Sequence, residues 1–215
     1  MTLLLERNDV DPNAHNEERR TPLWEAAEHV NDNTIVQLLL RHPGINPNIA
    51  TTYGDTLLCR AACAGHAKMT RQLLERVDVN PNQADSSGQT PLHYAPRRGN
   101  PAEVCHYVRR KDVKPNIPDL PFSRPLLLAA ACGRSEVVQM LLTNKDVTPN
   151  MPRSDSQPPL CRAAQRGRLI VVYLTPTSQR YQSQQGGLQS ANTTPLLCQN
   201  WKRGHSTHAV GTGGC

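Results

Sequence analysis

Two thiols and an imidazole, Cys59, Cys63 and His66, lie close enough along the chain to share a metal ion. Cysteine and histidine are the usual zinc ligands, and residues at i and i+4 share one face of a helix. A tetrahedral site needs four donors, and no fourth ligand stands at a matching spacing. Cys198, His205, His208 and Cys215 make a looser cluster whose spacing fits no zinc class. His93 would need a positioned nucleophile or carboxylate to act as a base, and the sequence supplies none. The stretch "GTGGC" at 211–215 lacks the lysine and helix of a phosphate loop. Neither a nucleophile elbow nor a carboxylate pair stands out. The chain therefore reads as a non-enzyme with no metal and no cofactor.

The elements that carry these residues recur. Val10-Asp11-Pro12-Asn13 is echoed at Ile45-Asn46-Pro47-Asn48, Val79-Asn80-Pro81-Asn82, Val113-Lys114-Pro115-Asn116 and Val147-Thr148-Pro149-Asn150. The prolines step by 35, 34, 34 and 34 residues, which marks a repeat architecture. A second signal keeps the same beat. Thr21-Pro22-Leu23, Thr56-Leu57-Leu58, Thr90-Pro91-Leu92, Arg124-Pro125-Leu126, Pro158-Pro159-Leu160 and Thr194-Pro195-Leu196 each open an apolar run. Threonine suits a helix N-cap, and proline suits the first turn, where its missing N–H costs nothing. Alanine pairs at Ala26-Ala27, Ala61-Ala62, Ala129-Ala130 and Ala163-Ala164 let helices approach closely. Gly65, Gly99, Gly133 and Gly167 then end a short first helix in the left-handed conformation.

Aliphatic clusters mark a second helix: Ile35-Val36 with Leu38-Leu39-Leu40, Leu73-Leu74, and Val137-Val138 with Met140-Leu141-Leu142. The Pro-Asn segment stops it. Asparagine after proline, with Gly54 or Gly88 further on, suits a turn projecting from the stack. Each unit predicts helix, tight turn, helix and hairpin loop. In the third unit Pro96 replaces the second alanine, which predicts a shortened first helix. In the fourth and fifth, Phe122 and Ser156 replace the loop glycine, which predicts irregular hairpins. The first unit carries an extra residue and no glycine at Glu28-His29-Val30-Asn31.

"DSSGQTPLHYA" at 85–95 and "GRSEVVQMLL" at 133–142 resemble the consensus of ankyrin repeats, and the resemblance extends over roughly residues 3–174. The "DVNPN" hairpin is similar to the version found in large fungal arrays. The resemblance implies an all-α solenoid of stacked helix–turn–helix units with projecting hairpin loops. It implies that His93 is a structural imidazole bonding across adjacent loops, and that Cys59 and His66 fill ordinary positions of the unit. It implies a protein–protein interaction scaffold or adaptor that binds a partner protein through a concave groove and loop tips. Carried over repeat by repeat, the contact positions are Glu17, Glu18 and Glu28, then Thr52 and Tyr53, then Ser86, Ser87, Arg97 and Arg98, then Leu120, Pro121 and Phe122, then Arg166. They run from acidic to basic, so a partner of opposite polarity would be steered into register. Tyr53 and Phe122 are the apolar anchors.

Composition agrees with a thin solenoid: the chain is 37% hydrophobic with a single Phe, too little for one large core. The net charge of +6 is concentrated late, since residues 151–215 hold seven basic groups and only Asp155 as an acid. That tail offers a different reading, a nucleic-acid-associated protein, although it lacks the aromatic interleaving of a stacking platform. A third reading is a structural spacer or non-functional remnant. The seven cysteines, with no apolar leader in "MTLLLERNDV", predict reduced thiols and an intracellular protein, cytoplasmic or nuclear. No run is long enough for a membrane helix.

The expected organisation is a partial repeat at 1–20, four full repeats and a truncated fifth at 21–174, a Gln/Ser/Gly-rich linker at 175–193, and a degenerate partial repeat with a tail at 194–215. Neither end shows the polar cap that solenoids need. The chain is expected to be a monomer or a piece of a longer array, a decayed gene or an imperfect gene model.

Overall fold

The computed structural model describes residues 7, 9–28, 34–120, 122–151 and 158–174. The expectations for Leu3-Leu4-Leu5, for the extra residue near His29, for Pro121 and Ser156, and for everything after 174 lie outside them.

Among the described residues ten helices alternate with turns and loops: α1 (Pro22–Glu28), α2 (Thr34–Arg41), α3 (Leu57–Ala64), α4 (Ala67–Leu74), α5 (Pro91–Arg98), α6 (Pro101–Arg109), α7 (Pro125–Cys132), α8 (Ser135–Thr143), α9 (Pro159–Gln165) and α10 (Leu169–Leu174). No strand occurs among the described residues. Each helix has six to nine residues, too few to be stable alone in water, so packing must hold them. The odd-numbered helices stack on one another in chain order as an inner layer. Of the even-numbered ones, α4, α6, α8 and α10 do the same as an outer layer.

The inner layer is built from the "TPL" phrase. Leu23, Leu58, Leu92 and Leu126 are all buried and belong to one continuous core, joined by Leu39, Leu73, Tyr107 and Leu141 from the even-numbered helices. Ala61, Ala62, Ala95, Ala129, Ala130 and Ala163 are fully buried, and their small side chains set the close spacing of the inner helices. The Thr21 and Thr56 hydroxyls accept from the amides of Trp24 (3.3 Å) and Cys59 (3.2 Å) as N-caps. Gly65, Gly99, Gly133 and Gly167 have φ of 77°, 76°, 71° and 65°. The expected left-handed stops are therefore in place.

Two expectations are corrected. Pro96 does not shorten its helix: α5 spans eight residues, as α3 does. Proline there removes one bond, to the carbonyl four residues back, but Pro96 itself is buried and both flanks of the helix are packed. Phe122 does not spoil the fourth hairpin. It takes φ 69°, its amide donates to the Asp119 carbonyl, and Asp119 N donates to Ser123 O at 2.8 Å. The same two bonds hold the Thr51–Asp55 and Asp85–Gln89 loops. Gly54 meets a second demand, since a Cβ there would lie 2.9 Å from the Ser86 backbone nitrogen of the next loop.

Candidate functional site

The asparagine of the recurring phrase does more than shape a turn. The Asn48 carboxamide donates to Asp78 O (2.6 Å) and accepts from Asn80 N (2.7 Å). Asn82 repeats this with Asp112 O and Lys114 N, both at 2.7 Å. Asn13 binds Gly44 O (2.7 Å) and Asn46 N (2.8 Å), and Asn116 binds Asp146 O (2.5 Å) and Thr148 N (3.0 Å). Each amide thus stitches one unit to the next. The residue before proline varies while this asparagine does not, and that contrast in the sequence was the available signal.

Arginines cap the stack in a similar way. Arg110 forks onto Asp112 at 2.9 and 2.5 Å and donates back to Leu74 O (3.1 Å) and Arg76 O (3.0 Å), at the end of α4. Arg76 forks onto Asp78 and donates to the Leu40 carbonyl of α2. A cation placed at these carbonyls opposes the negative end of the helix dipole. The paired guanidinium also holds each aspartate below the usual carboxylate range.

The loop tips form a row. Thr52 N donates to Glu18 O (3.0 Å), Ser86 N to Tyr53 O (3.0 Å), and Leu120 N to Ser87 O (2.9 Å). These bonds place Glu17, Glu18, Thr52, Tyr53, Ser86, Ser87, Leu120 and Phe122 along one edge, all exposed. Tyr53 is 67% exposed, Leu120 64% and Phe122 53%, which makes this edge unusually apolar for a solvated loop series. Arg97 and Arg98 are exposed at the end of α5, and Arg166 at the end of α9, away from the tips but on the inner layer. Glu28 ends α1, where it pairs with Arg20 (3.0 Å) and Arg60 (3.3 Å).

His93 is buried under the third and fourth loops. Its Nε2–H donates to the Ser123 carbonyl at 3.2 Å, so Nδ1 is the acceptor, 3.0 Å from Thr90 N. Burial lowers its pKa, opposed by Asp119, and the ring is a neutral structural bridge between loops. Cys59 is likewise buried, its thiol pushed up to about 12 by burial, with Sγ 3.7 Å from Gln83 O. Such a thiol is neither a nucleophile nor a ready ligand. Among the described residues no three His, Cys, Asp or Glu side chains gather to hold a metal ion, and no helix is long and apolar enough to cross a membrane.

Residues 25–119 match a family model described as ankyrin repeats (3 copies). The fold is similar to the crystal structure of an ankyrin repeat domain from Acinetobacter baumannii AYE, with a TM-score of 0.72 and 23% identity over 83% of this chain and 90% of that one. No curated protein matches the chain significantly. Ankyrin repeats are generally protein-interaction modules without catalytic activity.

Proposed function

We propose that this chain, whose residues 25–119 match the ankyrin-repeat model and whose fold is similar to that of an ankyrin repeat domain, is a scaffold or adaptor holding a partner protein across its inner layer and loop tips. The supporting observation is the bonded row of tips from Glu18 to Leu120, which brings Tyr53, Leu120 and Phe122 to one exposed edge. Tyr53 and Phe122 are the anchors, because aromatics dominate interface energetics. Ser86 and Ser87 supply hydrogen bonds between them. Charge sets the direction of the partner. Residues 1–89 carry 8 basic and 12 acidic side chains, whereas residues 90–174 carry 13 and 6. Glu17, Glu18 and Glu28 face the basic end of the partner, and Arg97, Arg98 and Arg166 its acidic end.

The test begins with a displayed library of random peptides panned on the whole chain. Tyr53→Ala combined with Phe122→Ala should weaken the selected binders by about tenfold or more. Binders that hold both substitutions without loss would sink this reading.

A further inference from the structure

The arginines fall into two groups, those paired with a carboxylate and those that are not. Arg20, Arg60, Arg71 and Arg76 each lie within 4 Å of a carboxylate. Arg98, Arg134, Arg166 and Arg168 have no carboxylate at that range among the described residues, and all four are exposed. Three of them lean back over the turn of the preceding repeat. Arg98 Nε donates to Cys63 O (2.6 Å) at the end of α3. Arg134 Nη2 donates to Arg97 O (3.3 Å) at the end of α5, and its chain lies against Gly99, where a Cβ would be 2.5 Å from Cδ. Arg168 lies against Gly133 after α7, where a Cβ would be 2.7 Å from its Cδ. Arg166 sits at the corresponding turn of its own repeat, after α9. Four arginines therefore mark four successive turns, Arg166 by its place in the chain. A guanidinium has five N–H donors, and Arg98 and Arg134 each give one to the protein.

We propose that this ridge binds an extended acidic protein segment with a carboxylate at about every third residue. Stacked helices lie about 8–10 Å apart. A polyproline II segment advances about 3.1 Å per residue with three residues per turn, so its residues i and i+3 share a face about 9 Å apart. One carboxylate then meets one guanidinium at each repeat, in the geometry that arginine forks favour. Arg97, exposed on the adjoining inner face, extends the cationic surface. A nucleic-acid strand is the weaker match, because Tyr94 is engaged with Asp85 and, among the described residues, no exposed aromatic on the ridge offers a stacking surface. This inference rests on the interaction-module reading and names the chemistry of the partner.

The probe is a fluorescent peptide of four Glu-Pro-Ala triplets, measured by anisotropy against the whole chain. A permuted peptide of the same composition, with its glutamates clustered at one end, is the spacing control. Arg134→Glu with Arg168→Glu should raise the Kd of the triplet peptide by about tenfold or more, while Arg41→Glu at the end of α2 leaves it unchanged. The permuted peptide should bind at least about threefold more weakly. If the charge reversals unfold the chain by circular dichroism, Arg134→Gln with Arg168→Gln replaces them, with a loss of about threefold or more expected. Equal binding of the two peptides, or indifference to these variants, overturns the ridge. Tighter binding of a 12-nucleotide single strand at the same salt also overturns it. Library binders that still depend on Tyr53 and Phe122 would leave the module reading standing in each of those cases. Loss of that dependence would remove the module reading itself.

Discussion

The third and fourth repeats are related by a 34-residue step and share one backbone, yet they hold it by different means. The third is polar where the fourth is apolar. His93 bridges two loops where Leu127 packs in the core. Glu103 and Tyr107 are fully buried in α6 where α8 has Val137 and Leu141. Arg110 caps the preceding outer helix where Asn144 only closes its own turn, accepting from Asp146 N at 2.9 Å. Thr90 begins α5 with a reciprocal bond to His93, where Arg124 begins α7 with no side-chain cap. The asparagine stitch is common to both, through Asn82 and Asn116. The difference teaches which features fix the unit: the left-handed glycine, the ladder leucine and the stitching asparagine stay, while other core positions exchange hydrogen bonding for apolar volume.

Exchanging residues between the two repeats tests that division. The largest effect is expected for His93→Leu, which imports the residue of the fourth repeat. The Ser123 carbonyl and the Thr90 amide, both in buried residues, lose their imidazole partner. The Ser123 carbonyl keeps the Asp119 amide, so one buried amide, that of Thr90, is left unpaired, at a cost of up to about 3 kcal/mol. Urea unfolding followed by circular dichroism should show that loss. A loss below about 1 kcal/mol would mean that leucine packing carries both repeats alike.

The features legible in the sequence are those a single unit needs for itself. Gly65, Gly99, Gly133 and Gly167 had to terminate helices, and Leu23, Leu58, Leu92 and Leu126 had to face inward, so periodicity alone placed them. Contacts between units left little trace. Arg134 covering Gly99 joins residues 35 apart in a pattern where either residue alone looks ordinary. Arg110 on Leu74 O is of the same kind. At Pro96 and Phe122 local preference is overridden, since Pro96 is buried within its packed helix and Phe122 is held by the bonds of its loop. The apolar character of the loop-tip edge depends on which side chains the loops turn outward, as Tyr53, Leu120 and Phe122 do.

A second exchange concerns Glu103. One oxygen accepts from the Thr70 hydroxyl at 2.9 Å, and the other, like the Tyr107 hydroxyl, has no hydrogen-bond partner among the described residues. Burial raises its pKa from 4.5 to about 7, opposed by Thr70 and Arg98. The folded chain therefore binds more protons than the unfolded chain between about pH 4.5 and 7. Stability from this group is fully present below that window and is lost as pH rises through it, by about 2–3 kcal/mol at pH 8. Glu103→Gln keeps the shape and the acceptor for Thr70 but does not titrate. It should match the parent near pH 4.5 and exceed it by that amount at pH 8 in urea titrations. Parallel pH profiles for the two proteins would show that the buried carboxyl of α6 is as inert as Val137 in α8.

The smallest effect is expected where the fourth repeat borrows from the third. Gly88 and Phe122 occupy the same loop position, with φ of 73° and 69°. A side chain in this region costs of order 1–2 kcal/mol, partly offset by the roughly 0.5–1 kcal/mol of extra chain entropy that glycine loses on folding. Phe122 is 53% exposed, so little packing is forfeited. Phe122→Gly should therefore raise stability by about 0.5–1 kcal/mol while weakening the peptides selected on the loop edge. Opposite signs for stability and binding are what a strained, outward-facing anchor requires. If the substitution leaves binding intact, Phe122 is a tolerated strain with no recognition role, and Tyr53 and Leu120 must carry the apolar edge without it.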